Sequence, residues 1–205
     1  MKIILGTANV AKKYGLNSNN LKIKEFDKAK KYLKKNNFFL EVAEDYRNIK
    51  YTINNKLKLF YKINFFKNKN NFTKLQKLSK KKNIFCLMVH SVQSVKLKEF
   101  NELYEYMFFL KSQKLIKSIG ISIYDLKDLN IIKKYNFDYI QVPLNLFNQT
   151  FNKKNTQNLR KRGTKFIARS VLFQGLIFND NYIKLKNITL NNKIKIIKEN
   201  LYKKE

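Results

Sequence analysis

The stretch Ile84-Phe85-Cys86-Leu87-Met88-Val89-His90 decides how this chain is read. Six apolar residues run without alternation and end on the only histidine of the 205-residue sequence. A strand with one wet face alternates apolar and polar residues. An unbroken apolar run of this length reads as a strand covered on both faces, as in a parallel sheet. Comparable runs stand at Ile3 to Leu5, Phe38 to Leu40, Leu59 to Ile63, Ile119 to Ile123, Tyr139 to Leu144 and Phe166 to Leu172. Helix-like stretches separate most of them. Ile23, Phe26, Lys30 and Leu33 share one face, with the lysine stem able to snorkel. Leu97, Phe100, Tyr104, Met107 and Phe108 form a second apolar stripe. Asp125 is placed to cap a helix carrying Leu126, Leu129, Ile132 and Tyr135.

This β-α alternation predicts an α/β fold with a parallel sheet. Successive runs begin at 3, 38, 59, 84, 119, 139 and 166, so one unit takes roughly 20–35 residues, the size of a unit in a (β/α)8 barrel. A doubly wound open sheet is the competing architecture. It would usually carry a glycine-rich phosphate loop after its first strand, and Gly6-Thr7-Ala8-Asn9-Val10 lacks that pattern. After Leu172 no convincing eighth strand is visible. Ile183-Lys184-Leu185-Lys186 alternates weakly but lies too close to the seventh run to follow a crossover helix. Ile194, Ile197 and Leu201 suggest a last helix. The expectation is one domain over residues 1–205, a TIM-type barrel with about seven of its eight strands. The first and seventh strands would then face a gap, and such edges invite self-association.

Composition excludes several functions. The net charge of +30 would ordinarily point to nucleic acid or a membrane surface. Of the 44 basic residues, however, only Arg47, Arg160, Arg162 and Arg169 are arginine, whereas base readout and bidentate phosphate grips favour arginine. The lysine excess accompanies Asn, Ile, Phe and Tyr, all with A- and T-rich codons. Base composition explains it better than a polyanionic partner, so no specific nucleic acid is expected. One cysteine, Cys86, rules out an internal disulfide and reads as a packed thiol. With one His and one Cys, a protein zinc site is not expected. No apolar run approaches the ~20 residues of a membrane span, and Met1 to Gly6 is too short for a signal peptide. The expected compartment is the cytoplasm.

Glu41, Lys62 and His90 close the second, third and fourth runs, with Tyr46 just beyond Glu41. In a parallel barrel these positions gather on the C-terminal rim, where active sites lie. An acid, a tyrosine, a lysine and a histidine gathered there point to carbonyl reduction. A free tyrosine has a pKa near ~10 and needs help to act as an acid near neutrality. A lysine cation beside Tyr46 would favour the phenolate, and Lys62 is placed to supply it. A buried lysine needs a counter-charge, which Glu41 can provide. His90 can donate a hydrogen bond to a carbonyl oxygen and orient it. One of 12 tyrosines or a single lysine would mean nothing alone. Their conjunction with His90 at successive strand ends carries the reading.

These segments resemble the aldo-keto reductase family, in its bacterial branch. Ile4-Leu5-Gly6-Thr7-Ala8 followed by Tyr14-Gly15-Leu16 is similar to the family's opening strand and loop. Leu40-Glu41-Val42-Ala43-Glu44-Asp45-Tyr46 resembles its Asp-Thr-Ala-x-x-Tyr motif, and Phe60-Tyr61-Lys62-Ile63 its strand ending in Thr-Lys. Leu87 to Ser91, Ile119 to Tyr124, Tyr139 to Asn145 and Ala168 to Leu176 follow in the family's order. Glu41 stands where the family has Asp, Arg47 where it usually has Gly, and the region of strand eight, which holds much of the cofactor's adenosine phosphate end, is missing.

The resemblance implies an NADPH/NADP-dependent oxidoreductase that reduces a small-molecule aldehyde or ketone. Hydride would pass to the carbonyl carbon while Tyr46 protonates the oxygen. It implies that Ser122 and Gln141 contact the nicotinamide carboxamide. It places Arg169 where many members stack a tyrosine on the nicotinamide. A guanidinium there can stack on a ring, hold a phosphate, bind substrate or face solvent. Ser170 is a further cofactor candidate. The alternative is a shortened relative that has lost catalysis and serves as a binding or interaction protein. A basic nucleic-acid-binding module stands behind both.

Overall fold

The structure is a computed structural model that describes residues 2–10, 22–46, 57–64, 75–76, 83–172, 192, 194–196 and 199. Seven strands form one parallel sheet in chain order: β1 (Ile4–Gly6), β2 (Phe39–Ala43), β3 (Leu59–Ile63), β4 (Ile84–Val89), β5 (Ser118–Ser122), β6 (Tyr139–Pro143) and β7 (Lys165–Arg169). Four α-helices are described: α1 (Ile23–Lys35), α2 (Phe100–Ser112), α3 (Lys127–Ile132) and α4 (Lys153–Lys161). A 3₁₀ helix, Val92–Lys96, precedes α2.

Strand parity divides the sheet into two faces. Leu40, Val42, Leu59, Tyr61, Ile63, Leu87, Val89, Ile119, Ile121, Ile140 and Val142 point outward. They pack against Phe26 and Leu33 of α1, Phe100, Leu103, Met107 and Leu110 of α2, and Ile132 of α3. Phe39, Phe60, Cys86 and Met88 point the other way, joined by Ile4, Phe85, Tyr139 and Ile167. The inner cluster draws on strands from β1 to β7, so the sheet is rolled. One hydrogen bond proves the point. Gln141 of β6 donates to the carboxylate of Glu41 on β2, four strands away. At ~4.8 Å per strand a flat sheet would hold these backbones roughly 19 Å apart. The architecture is a curled, incomplete β/α barrel. Among the described residues β1 pairs only with β2 and β7 only with β6.

Inside the roll, aromatic rings fill the end near the strand N-termini. Phe60 meets Phe39 and Tyr139 edge-on, each at 5.2 Å between ring centroids. Gly120 of β5 is required beside them. A Cβ there would lie 2.8 Å from the Tyr139 carbonyl oxygen and 3.2 Å from the Met88 side chain.

Several sequence expectations shift. β3 and β4 keep their bounds, but β2 runs on to Ala43, so Glu41 sits inside the strand rather than at its end. The buried face of α2 is Phe100, Leu103, Met107 and Leu110; Phe108 is exposed and Leu97 precedes the helix. Asp125 caps α3 as expected, its Oδ1 accepting from the Lys127 N–H at 3.2 Å, and Asp128 reciprocates by accepting from the backbone N–H groups of Tyr124 and Asp125 at 3.0 Å each. α4 follows no apolar stripe strong enough to announce it and starts on Asn152, whose side chain accepts from the Asn155 N–H. Cys86 is a fully buried thiol, its pKa raised well above the ordinary value by that burial. Of the expected last helix, Ile197 and Leu201 lie outside the described residues, as do Tyr14, Gly15, Arg47 and the stretch 183–186.

Gly120→Ala forces the β6 backbone and Met88 apart and should cost about 1–3 kcal/mol. Urea denaturation checks this; an unchanged midpoint at constant slope would refute the tight approach.

Candidate active site

His90 reaches the barrel mouth because β4 contains one residue too many. The pairing of β3 with β4 runs from Leu59 with Ile84 to Phe60 with Cys86, skipping Phe85. Ile84 faces outward, and strict alternation from it would turn His90 outward as well. The bulge admits both Phe85 and Cys86 to the inner cluster and resets the phase. Met88 and His90 then follow Cys86 inward. The His90 N–H donates to the Ile63 carbonyl at 2.8 Å, fixing the end of β4 to the end of β3.

One carboxylate organises the layer below His90. Glu41 Oε1 lies 2.8 Å from Lys62 Nζ, with side-chain exposures of 11% and 4%. Its Oε2 accepts from the Gln141 amide. Gln141 Oε1 in turn accepts from the Ser122 hydroxyl at 3.3 Å. The Thr7 hydroxyl donates to the Glu41 carbonyl at 2.9 Å, tying β1 to β2. Five strands, β1, β2, β3, β5 and β6, are thus tied together by these side chains. Gly6 lies beside this carboxylate, where a Cβ would stand 4.0 Å from Glu41 Oε1, an ordinary contact. Lys62 therefore has the counter-charge anticipated for it, and Ser122 and Gln141 stand together.

Tyr46 closes a tight turn after β2, its N–H donating to the Ala43 carbonyl at 3.0 Å. Asn64, directly after β3, clamps that turn. Its backbone N–H donates to Glu44 Oε2 at 3.3 Å, and its amide to Asp45 Oδ2 at 2.6 Å. Glu44 N–H reaches back to the Lys62 carbonyl at 2.8 Å. The rings of Tyr46 and His90 meet edge to face with centroids 6.3 Å apart. Asp45 Oδ2 lies 3.6 Å from His90 Nδ1. Asp45 and Asn64 escaped the sequence reading. Their one signal was the polar residue closing an apolar strand opposite a doubly acidic turn.

Burial holds the His90 pKa below the ordinary 6.5. The Lys62 charge and, more weakly, that of Arg169 act the same way, while Asp45 and Glu41 oppose them. Arg169 ends β7. Its guanidinium lies over the Tyr124 ring at 3.9 Å and its Nη1 donates to the Ser170 hydroxyl at 3.4 Å. Ser170 takes a left-handed backbone conformation, φ 57°, and its carbonyl accepts from the Asn145 amide at 3.3 Å. Four buried side-chain atoms have no hydrogen-bond partner among the described residues: Asn64 Oδ1, His90 Nδ1, and Arg169 Nε and Nη2. All belong to the C-terminal ends of β3, β4 and β7, around the mouth.

This arrangement matches a known family. The sequence profile of the Aldo/keto reductase family, a family of oxidoreductases, matches residues 9–198, and the chain belongs to that family. Solved structures share the fold. A protein from Pseudomonas aeruginosa assigned to the aldo-keto reductases is 15% identical, covers 84% of this chain and 74% of its own, and superposes with a TM-score of 0.59. An aldo/keto reductase from Brucella melitensis is 20% identical over 86% of this chain and 70% of its own, with a TM-score of 0.57. The glycerol dehydrogenase of Gluconobacter oxydans is 17% identical over 89% of this chain, with a TM-score of 0.55. The chain spans 64% of that enzyme's length. No curated protein sequence gives a significant match. Among the described residues no helix is long and apolar enough to cross a membrane.

Glu41→Gln strands a buried ammonium, and Lys62→Met strands a buried carboxylate. Each should cost about 3–5 kcal/mol, and the double variant markedly less than the sum. Additive losses in a denaturation cycle would rule out the coupling. For His90 the pH sign follows from its lowered pKa. Between that value and 6.5 the unfolded chain binds a proton that the folded chain rejects, so stability rises with pH through the window. The His90 contribution is full above 6.5 and is lost on acidification. Wild type should therefore lose stability relative to His90→Gln as pH falls below 6.5; a difference independent of pH would contradict the shift.

Proposed function

We propose that this protein is an NADPH-dependent reductase of aldehydes or ketones. The observation that carries the proposal is the buried Lys62–Glu41 pair, closed by Gln141, directly beneath a mouth lined by Tyr46 and His90. Burying a lone lysine is costly, and its pairing keeps the ammonium charged in a low-dielectric pocket. A charge held there acts on a neighbouring reaction far more strongly than one in water.

The residues fit a nicotinamide cofactor. The Ser122 hydroxyl donates to Gln141 but retains its acceptor lone pairs, and Gln141 retains a second amide N–H beyond the one given to Glu41. Together they offer the donor and acceptor that a carboxamide needs. The cofactor, when bound, supplies the hydride. The remaining chemistry falls to the chain. Tyr46 gives its phenolic proton to the carbonyl oxygen as negative charge develops there. Lys62 stabilises the phenolate left behind. Glu41 holds the lysine in place and keeps the pocket close to neutral. His90 orients the oxygen, and the turn clamped by Asn64 fixes Tyr46 relative to it. A relative with binding but no catalysis would keep the cofactor contacts and lose the tyrosine's role, so one variant separates the readings.

Tyr46→Phe should lower the rate of NADPH-dependent aldehyde reduction by at least 10³-fold, because the hydroxyl acts mainly in the transition state. The dissociation constant for NADPH, followed by fluorescence titration, should move less than about threefold. Full activity in this variant would remove Tyr46 from the mechanism.

A further inference from the structure

Arg169 is anchored on one side and unspent on the other. Tyr124 supports the face of its guanidinium at 3.9 Å, and Nη1 is bonded to the Ser170 hydroxyl. The Nε and Nη2 groups are buried without a partner. These two atoms form one edge of the guanidinium, and their N–H bonds run parallel, the geometry that grips both oxygens of a carboxylate. A buried charged donor left unpaired costs more than a neutral one, and here two sit side by side. Among the described residues no carboxylate lies within ion-pair distance of Arg169, whereas Lys62 has its Glu41.

Position narrows what could satisfy that edge. Arg169 pairs with Pro143 at the end of β7 and shares its inward parity with Ile167 of the inner cluster. Arg169 ends β7 on the same C-terminal rim that carries His90, and its charge acts weakly there. The side chain as a whole is only half-buried, so small rotations bring the edge to an incoming group. The left-handed Ser170 and the Asn145 bond to its carbonyl hold the strand end that carries Arg169. Such local strain is characteristic of functional sites.

We propose that the Nε–Nη2 edge of Arg169 binds an anionic group of the substrate, best a carboxylate, and so selects carbonyl compounds that carry one. This rests on the reductase reading for its kinetic consequences but not for the binding itself. A phosphate of the cofactor shares the chemistry, and the test separates the two sources.

The test uses the full chain with 4-carboxybenzaldehyde and benzaldehyde as matched aldehydes and terephthalate as a non-reacting probe. Wild type should prefer 4-carboxybenzaldehyde at least tenfold in kcat/KM, through KM. Arg169→Gln should abolish that preference, and terephthalate binding by calorimetry should weaken at least tenfold. Arg169→Lys keeps the charge without the fork and should recover only part of both; it serves as the second variant if the Gln form does not fold. If both aldehydes are inert yet terephthalate binds in an Arg169-dependent way, the reductase reading fails and the anion site stands. Equal use of the two aldehydes by an active wild type would overturn the proposal. So would loss of NADPH affinity in Arg169→Gln with terephthalate binding unaltered, which assigns the edge to a cofactor phosphate.

Discussion

The Glu41 carboxylate is the constraint on which the rest of this site depends. Among the described residues it is the one carboxylate paired with Lys62, and it receives the Gln141 amide from across the barrel. A sheet that failed to curl would keep the Glu41–Lys62 pair, because β2 and β3 are neighbours, but would take the Gln141 amide away from the carboxylate. The Glu41–Gln141 bond and the curvature therefore support each other: rolling brings β6 to β2, and the bond between them penalises unrolling. Hydrophobic burial supplies most of the drive to roll through Phe39, Phe60, Phe85 and Tyr139. It does not by itself specify how far apart the strand ends finish. The polar layer does, because hydrogen bonds tolerate little error in distance.

Charge at large and charge in the site are separate matters in this chain. The formal charge of +30 is spread over a lysine-rich sequence. Among the described residues the buried carboxylate and ammonium groups are Glu41, Lys62 and Asp128. Asp128 is spent on backbone N–H groups at the head of α3. The other two face each other. Composition thus hid the informative lysine among many, and only its place at the inward end of β3 set it apart.

The degree to which the fold could be read in advance follows from the same physics. β3 and β4 kept their expected bounds because doubly covered strands are uninterrupted apolar runs. The apolar run ends before β2 does because Glu41 is a functional interruption within the strand. The set Glu41, Lys62, Tyr46 and His90 was visible as chemistry placed at strand ends. The Glu41–Gln141 and Asp45–Asn64 contacts were not, since they depend on how far the sheet rolls and where a turn folds back. The buried α2 face lies a few positions away from the apolar stripe in its sequence. Aromatic residues occur on both its sides, and the burial of Leu103 and Leu110 rather than Phe108 is decided by what the sheet offers.

The extra residue at Phe85 has a consequence for how this strand can change over time. Loops between the strands can lengthen or shorten while the barrel keeps its shape, but the six residues from Ile84 to Val89 are counted rather than merely apolar. Losing one, or gaining one, would exchange the two faces of the strand end. Leu87 and Val89 would then be driven into the mouth, and Met88 and His90 among the helices. Substitution is therefore open to this segment and change of length is closed, unless a second change restores the phase. A descendant of this chain could lose much of its sequence identity here and still keep its histidine aimed at the same point.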